Sequence, residues 1–268
     1  MKSWQVAYPD GVIKYIDLFR EKYFQYNIFD QVVKDYIDKH SKSNGKHVVS
    51  LGSGTGRHEV ELAKLGYQVI GLERNEESLA IAREYSEKIG VTVDFQKCDF
   101  LNEMELNYVM KTIGEVDIIL LLFIPISIGD YGKALCNMKR WIKNGGIFVA
   151  DNFGYTTAVD QSHIITKSNV EVATDPISDK DVVRLNYYEY FNNVVNWDAI
   201  YLYYDDENTL VMKKDHDILE VVPEKDVKNL LIMDEEGLEF LPTYRVTECE
   251  EYIAPPYLYE YLIGWRKM

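Results

Sequence analysis

The residues best suited to chemistry stand in one stretch, His47 to Glu73, which reads HVVSLGSGTGRHEVELAKLGYQVIGLE. Gly52, Gly54 and Gly56 interleave there with Ser53 and Thr55. Glycines let the backbone turn sharply and let a ligand reach the peptide N–H groups with no Cβ in the way. Glu73 follows at the distance, about 20 residues, at which an acid can accept hydrogen bonds from two ribose hydroxyls. The elements that must position these groups are legible around them. Val48, Val49 and Leu51 form an apolar run before the loop, a helical pattern follows it, and Val69, Ile70 and Leu72 form a second apolar run before the acid. Strand, glycine loop, helix, strand and acid make half of a nucleotide-binding βαβ unit.

The dinucleotide fingerprint is G-x-G-x-x-G. Here the third glycine is Gly56 and position 57 is arginine, so the pattern is G-x-G-x-G. No Lys-Ser or Lys-Thr follows for a phosphate loop. Such a loop suits a zwitterionic amino-acid tail beside an adenosine; the bland alternative is a tight turn that binds nothing. VVSLGSGTG resembles the first motif of the class I S-adenosylmethionine-dependent methyltransferases. The resemblance implies S-adenosyl-L-methionine as cofactor and methyl transfer as the reaction.

Composition narrows the partners. The chain has 268 residues, 47% hydrophobic and 13% aromatic, which argues for a packed globule. A net charge of −15 argues against nucleic acid or an anionic membrane surface, since both need a basic footprint. The acidity would favour a cationic substrate, although solubility alone explains it. Cys98, Cys136 and Cys249 are odd in number and widely spaced, which fits a reducing cytoplasm better than a disulfide framework or zinc site. The N-terminus lacks a signal-peptide pattern. The longest apolar run, Ile118 to Ile128, is interrupted by Pro125 and is too short to span a bilayer.

Residues 11–40 have helical spacing, and Ser43-Asn44-Gly45 breaks the chain before the first strand. Asn75 is suited to cap the helix after Glu73. Val91, Val93 and Phe95 alternate as the third strand, Val116 to Ile124 is the fourth and most apolar, and Ile147 to Ala150 the fifth. This predicts an α/β fold with a doubly wound, seven-stranded, Rossmann-like sheet. Val182–Tyr190, Ala199–Tyr204 and Thr209–Lys214 are rich in Val, Tyr and Leu and separated by turn residues, which predicts a small inserted antiparallel sheet. A helix over Pro223 to Met233 and strands at Glu239–Leu241 and Tyr259–Trp265 return to the main sheet. The expected organisation is a helical cap at 1–45, a core at 46–159 and 223–268, and the insertion at 160–222.

The resemblance extends over nearly the whole chain. The leading helices, the inserted sheet and Ser127-Ile128-Gly129 are similar to small-molecule methyltransferases of the amino-sugar and glycine N-methyltransferase type. It implies a cofactor site at Tyr26, Gly52, Ser53, Gly54, Gly56, Glu73, Arg74, Asp99, Phe100 and Phe123, with Asp99 and Phe100 at the adenine. The competing reading is that Asp99 caps the next helix. Tyr15 and Tyr23, from the leading helices, and Asp130, where the amino-sugar enzymes commonly carry histidine, are the candidates at the acceptor; Asp130 also suits a helix N-cap. No His, Asp and Glu grouping has metal-ligand spacing. An amine needs only to arrive deprotonated, whereas a hydroxyl usually needs a base. N-methylation of a small amine is therefore favoured. O-methylation remains the alternative, with His163, His216 or Asp130 as base, and His58 is expected to point away from the nucleophile. A cofactor-binding protein without catalysis is a third reading. The aromatic run Tyr187 to Tyr204 suits strand packing, a pocket wall or a homodimer contact.

Overall fold

In the computed structural model, residues 11–24, 26–124, 128–155, 165–221, 237–246 and 258–268 are described. Two helices open the chain, α1 (Ile13–Phe24) and α2 (Tyr26–His40). They divide the single helical stretch that spacing alone suggested. Then come β1 (His47–Leu51), α3 (Arg57–Lys64), β2 (Gln68–Glu73), α4 (Glu76–Ile89), β3 (Asp94–Lys97), α5 (Glu103–Ile113), β4 (Val116–Leu121), α6 (Ile128–Met138) and β5 (Ile142–Tyr155). The third strand starts three residues later than its apolar alternation indicated, because its register is set by pairing Ile70 to Glu73 of β2 with Asp94 to Lys97. Asn75 caps α4, its side chain accepting from the N–H groups of Glu77 and Ser78.

The strands β10 (Leu238–Phe240), β11 (Tyr244–Arg245) and β12 (Leu258–Lys267) complete an eight-stranded sheet. Its order is β10-β12-β5-β4-β1-β2-β3, with β11 beside β12. β1 to β5 pair in parallel, and β12 runs antiparallel against β5. Every residue of β4 is buried, as a central strand covered on both faces requires. Val49 and Leu51 pack into one apolar cluster and Val48 into another, so successive β1 side chains serve opposite faces. The helix expected at 223–233 lies outside the described residues.

Four strands, one more than the sequence pattern indicated, form the separate antiparallel sheet: β6 (Ile165–Asp175), β7 (Lys180–Phe191), β8 (Val194–Tyr204) and β9 (Leu210–Glu220). Only Asn192 and Asn193 connect β7 to β8, and Asn192 has φ 53°, a conformation Asn tolerates in tight hairpins. α1 packs on this sheet: Ile13, Ile16 and Phe19 join Val182, Ala199 and Tyr201 in one cluster. α2 packs on the main sheet through Phe29, Val33, Tyr36 and Ile37. The two leading helices thus bridge the two sheets, and the candidate site lies between them.

Candidate active site

The glycine loop is pinned from below. Gly52 and Ser53 donate their N–H groups to the Leu72 carbonyl at 2.7 and 3.0 Å, and Gly54 donates to Glu73 Oε2 at 3.0 Å. The other oxygen of Glu73 accepts the Asn75 N–H at 2.8 Å. Its carboxylate therefore ties the loop to the N-terminus of α4. The glycines serve different ends. Gly54 has φ 53° and a Cβ there would meet nothing within 4 Å, so its open face is free for a ligand. At Gly56, φ 78°, a Cβ would come within 2.5 Å of the Phe95 ring and 2.8 Å of Ala82, so this glycine is required for packing.

Above the loop is a cavity of about 180 Å³. That exceeds an engineered hole able to hold benzene, about 150 Å³, so it has room for an organic ligand. Gly52, Ser53, Gly54, Glu73, Arg74, Asp99, Phe100 and Phe123 all line it, so the fold brings these sequence candidates together. Asp99 does not cap α5. That place belongs to Asn102, while Asp99 Oδ1 accepts the Leu101 N–H at 3.0 Å. Phe123 has φ 54°, uncommon for a bulky residue and a conformation that clusters at functional sites. Its N–H donates to Asp151 Oδ1 at 2.9 Å, which holds the turn at the end of β4.

The remaining candidates are placed differently. Tyr15 is buried on α1 against Tyr203, ring centroids 4.9 Å apart, and is not among the lining residues. Asp130 is buried in the first turn of α6, bonded to Lys133 at 2.9 Å, and is likewise not in the lining. The side chains of Tyr23 and Tyr26, and all of His163, lie outside the described residues. His216 is exposed on β9 and bonds Asp198 at 2.8 Å.

Several lining residues escaped the sequence reading. Ile13, Ile16, Asp17 and Arg20 recur at i, i+3, i+4 and i+7 along α1 and present one face to the cavity. Thr55 donates its hydroxyl to Asp17 Oδ2 at 2.5 Å. Asp215 and Asp217 enter from β9, just beyond Lys214, where the expected strand ended. His58, expected to point away, also lines the cavity. Its Nδ1 bonds the buried Asp30 carboxylate, and its ring stacks on Phe123 at 5.2 Å and 16°. Burial alone would lower its pKa; the charge and hydrogen bond of Asp30 outweigh that and raise it.

The lining fits an adenosyl amino acid. Ser53 Oγ and Glu59 Oε2 are buried polar atoms of the cavity wall with no hydrogen-bond partner among the described residues. Such atoms call for a polar guest. The open face of Gly54, the unpartnered Ser53 hydroxyl, the acid at the end of β2 and the acid–aromatic pair after β3 are the groups that could hold an amino-acid tail, a ribose and a purine. Among the described residues, no group of three or more His, Cys, Asp and Glu could hold a metal ion.

Comparison with known proteins agrees with this geometry. The chain is similar in structure to an S-adenosylmethionine-dependent methyltransferase from Clostridium acetobutylicum, with TM-score 0.69 and 15% identity over 95% of this chain and 98% of the other. The sugar N-methyltransferase KedS8 from Streptoalloteichus aligns with TM-score 0.68 and 18% identity over 98% and 97%. CalS10, an amino pentose methyltransferase from Micromonospora echinaspora, aligns with TM-score 0.66 and 15% identity over 98% and 99%. In sequence, a ubiquinone biosynthesis O-methyltransferase of Burkholderia thailandensis is 39% identical over 62 residues, covering 23% of this chain and 27% of the relative. A putative methyltransferase of Geobacillus is 33% identical over 70 residues, 26% of this chain and 28% of the relative. The chain thus spans only about a quarter of the length of the curated relatives it matches. The methyltransferase domain family matches residues 42–209, more than half of the chain, from just before β1 to just past β8. With that match and the Rossmann-like sheet of the S-adenosylmethionine-dependent enzymes, the chain belongs to the methyltransferase domain family.

Proposed function

We propose that this chain transfers a methyl group from S-adenosyl-L-methionine to an amine nitrogen of a small-molecule acceptor. The observation that carries this reading is one cavity lined both by the glycine loop, Glu73 and Asp99–Phe100 and by carboxylates of α1 and β9. The Gly52 to Gly54 segment, with Ser53, Arg74, Tyr26 and Phe123, holds the amino-acid tail; Gly56 shapes the loop from behind. Glu73 binds the ribose, and Asp99 and Phe100 the adenine. Bound there, the cofactor supplies a methyl already activated on a sulfonium. The protein then has to align the acceptor and exclude water. α1 and the inserted sheet form the lid that does so. In this reading Tyr15 and Asp130 act from behind the wall, Tyr15 seating α1 against Tyr203 and Asp130 pairing with Lys133 within the first turns of α6. Cys98, a free buried thiol in the lining, fits work in a reducing cytoplasm.

A second reading, O-methylation, is favoured by the Asp30–His58 pair, since a carboxylate-held imidazole in the cavity could take a hydroxyl proton. One experiment separates the readings. Protein incubated with methyl-carbon-13 S-adenosylmethionine and a small-molecule extract is expected to produce N-methyl signals by NMR. O-methyl signals would favour His58 as base. No transfer, with S-adenosylhomocysteine still bound, would leave a binding protein.

A homodimer is part of the proposal. On the outer face of the inserted sheet, Val172, Val183, Leu202 and Met212 lie in one cross-strand row, and Val170, Leu185 and Ile200 in the next. Val170 is 63% exposed and Met212 58%. Two such faces would cover each other's apolar rows. Sedimentation is expected to give a dimer for the wild type and a monomer for Val183→Lys/Leu202→Lys; a wild type monomeric at micromolar concentration would end this part of the proposal.

A further inference from the structure

The two carboxylates that β9 sends into the cavity have no part in holding the cofactor as described above. Asp215 and Asp217 are two apart on a strand, so both face inward, while the intervening His216 and the preceding Lys214 are exposed on the other face. Three of the other cavity carboxylates each accept at least one hydrogen bond. Glu73 accepts two backbone N–H groups, Asp99 accepts the Leu101 N–H, and Asp17 accepts the Thr55 hydroxyl. Asp215 Oδ1 accepts the N–H of His216 at 2.9 Å. Asp217 accepts no hydrogen bond from the described residues.

We propose that Asp215 and Asp217 form a cation subsite that draws the acceptor in as its ammonium and takes one N–H proton onto a carboxylate, leaving the neutral nitrogen lone pair to attack the methyl as the carbon–sulfur bond breaks to give S-adenosylhomocysteine. This rests on the methyltransferase reading and assigns the acceptor's chemical class, a small molecule bearing an alkylammonium. The groups around the subsite are consistent with it. Arg20 of α1 and His216 favour the charged form of Asp217, and His216 and Arg184 that of Asp215; the Arg20 guanidinium sits 5.6 Å from the Phe123 ring centre. Burial, reinforced by the charge of Asp215, pushes the Asp217 pKa up to about 6. Two carboxylates that repel each other in a poorly hydrated wall are relieved by a cation between them. Elsewhere in the lining of the same cavity, Glu59 of α3 is 1% exposed and keeps Oε2 without a hydrogen-bond partner among the described residues.

The test needs no knowledge of the acceptor. Sinefungin carries a charged amine where the transferable methyl would be, and S-adenosylhomocysteine carries nothing there. Both are titrated by calorimetry into wild type and Asp215→Asn/Asp217→Asn. The wild type is expected to prefer sinefungin at least about tenfold, as opposite charges a few ångströms apart at low effective dielectric require. The variant is expected to lose that preference while keeping S-adenosylhomocysteine affinity within about twofold. The same sinefungin preference in both proteins, or no preference in the wild type, would overturn the subsite. If neither nucleoside bound the wild type, the methyltransferase reading itself would fall, and the subsite with it. Asp217→Glu, which keeps the charge, is expected to restore most of the preference, separating charge recognition from a fold defect.

Discussion

Arg184→Ala is expected to cost roughly 3–5 kcal/mol of folding stability, the loss typical when one partner of a buried ion pair is removed. Arg184 is 1% exposed on the inner face of the inserted sheet. Its Nε donates to Glu171 Oε2 at 2.6 Å, and a second nitrogen reaches the same oxygen at 2.5 Å. The guanidinium lies 4.5 Å from the Phe19 ring centre and 5.4 Å from that of Trp197. Asn186 donates to Glu171 at 2.9 Å and accepts from Trp197 Nε1 at 2.9 Å, so the pair sits inside a network. Truncation would leave the Glu171 carboxylate buried without its cation and open a void under α1. Chemical denaturation should also rank two further variants. Arg184→Lys keeps the charge but loses the planar fork and ring stacking, so it should fall between wild type and alanine. Arg184→Met/Glu171→Leu removes both charges and should recover most of the loss. A cost below about 1 kcal/mol for Arg184→Ala would show that the network adds nothing to stability. Because Phe19 belongs to α1, the lining helix, a loosened network should also weaken cofactor binding.

How much of this could be read beforehand depends on the range of the interactions. The βαβ unit was legible because its signals are local. Turn glycines, alternating apolar runs and the Asn75 cap each act within a few residues, and Glu73 follows from the second strand. β12 and the inserted sheet were visible as strands because Val, Tyr and Leu patterns are also local. Their pairing was not: β12 inserts between β5 and β10, and nothing in either segment states that register. The third strand was misplaced for the same reason, since Asp94 to Lys97 is selected by hydrogen bonds to β2 and not by its own apolarity. The far wall of the cavity was the least legible part. Asp215 and Asp217 are ordinary strand-edge acids until β9 is set against α1. His58 on α3 takes its meaning from Asp30, 28 residues away on α2. The one missed signal that was local is the Ile13, Ile16, Asp17, Arg20 spacing, which marks a helix face mixing apolar and charged groups.

Glu73→Ala is expected to weaken S-adenosylhomocysteine binding by about 1.5–3 kcal/mol, roughly 10- to 150-fold. Two effects are combined in that number, and the structure explains how to part them. The carboxylate is 9% exposed and accepts the Gly54 and Asn75 N–H groups, so its removal frees the glycine loop. Each oxygen also keeps acceptor capacity for a ribose hydroxyl. Loop release should weaken any ligand whose amino-acid tail meets Gly54. Loss of ribose contacts should affect only ligands that carry the hydroxyls. Calorimetry with S-adenosylhomocysteine and its 2′-deoxy analogue resolves the two. The wild type should prefer the ribo form by about tenfold, the scale of one hydrogen bond to a charged acceptor, and Glu73→Ala should bind the two forms alike. If the variant kept the full ribo preference, Glu73 would be a loop anchor and the ribose would be held elsewhere. If it bound S-adenosylhomocysteine as the wild type does, both roles would fail. Glu73→Gln sharpens the comparison, since it retains one acceptor oxygen for Gly54 or Asn75 but no charge. It should keep the loop in place better than alanine does while still losing most of the ribose preference.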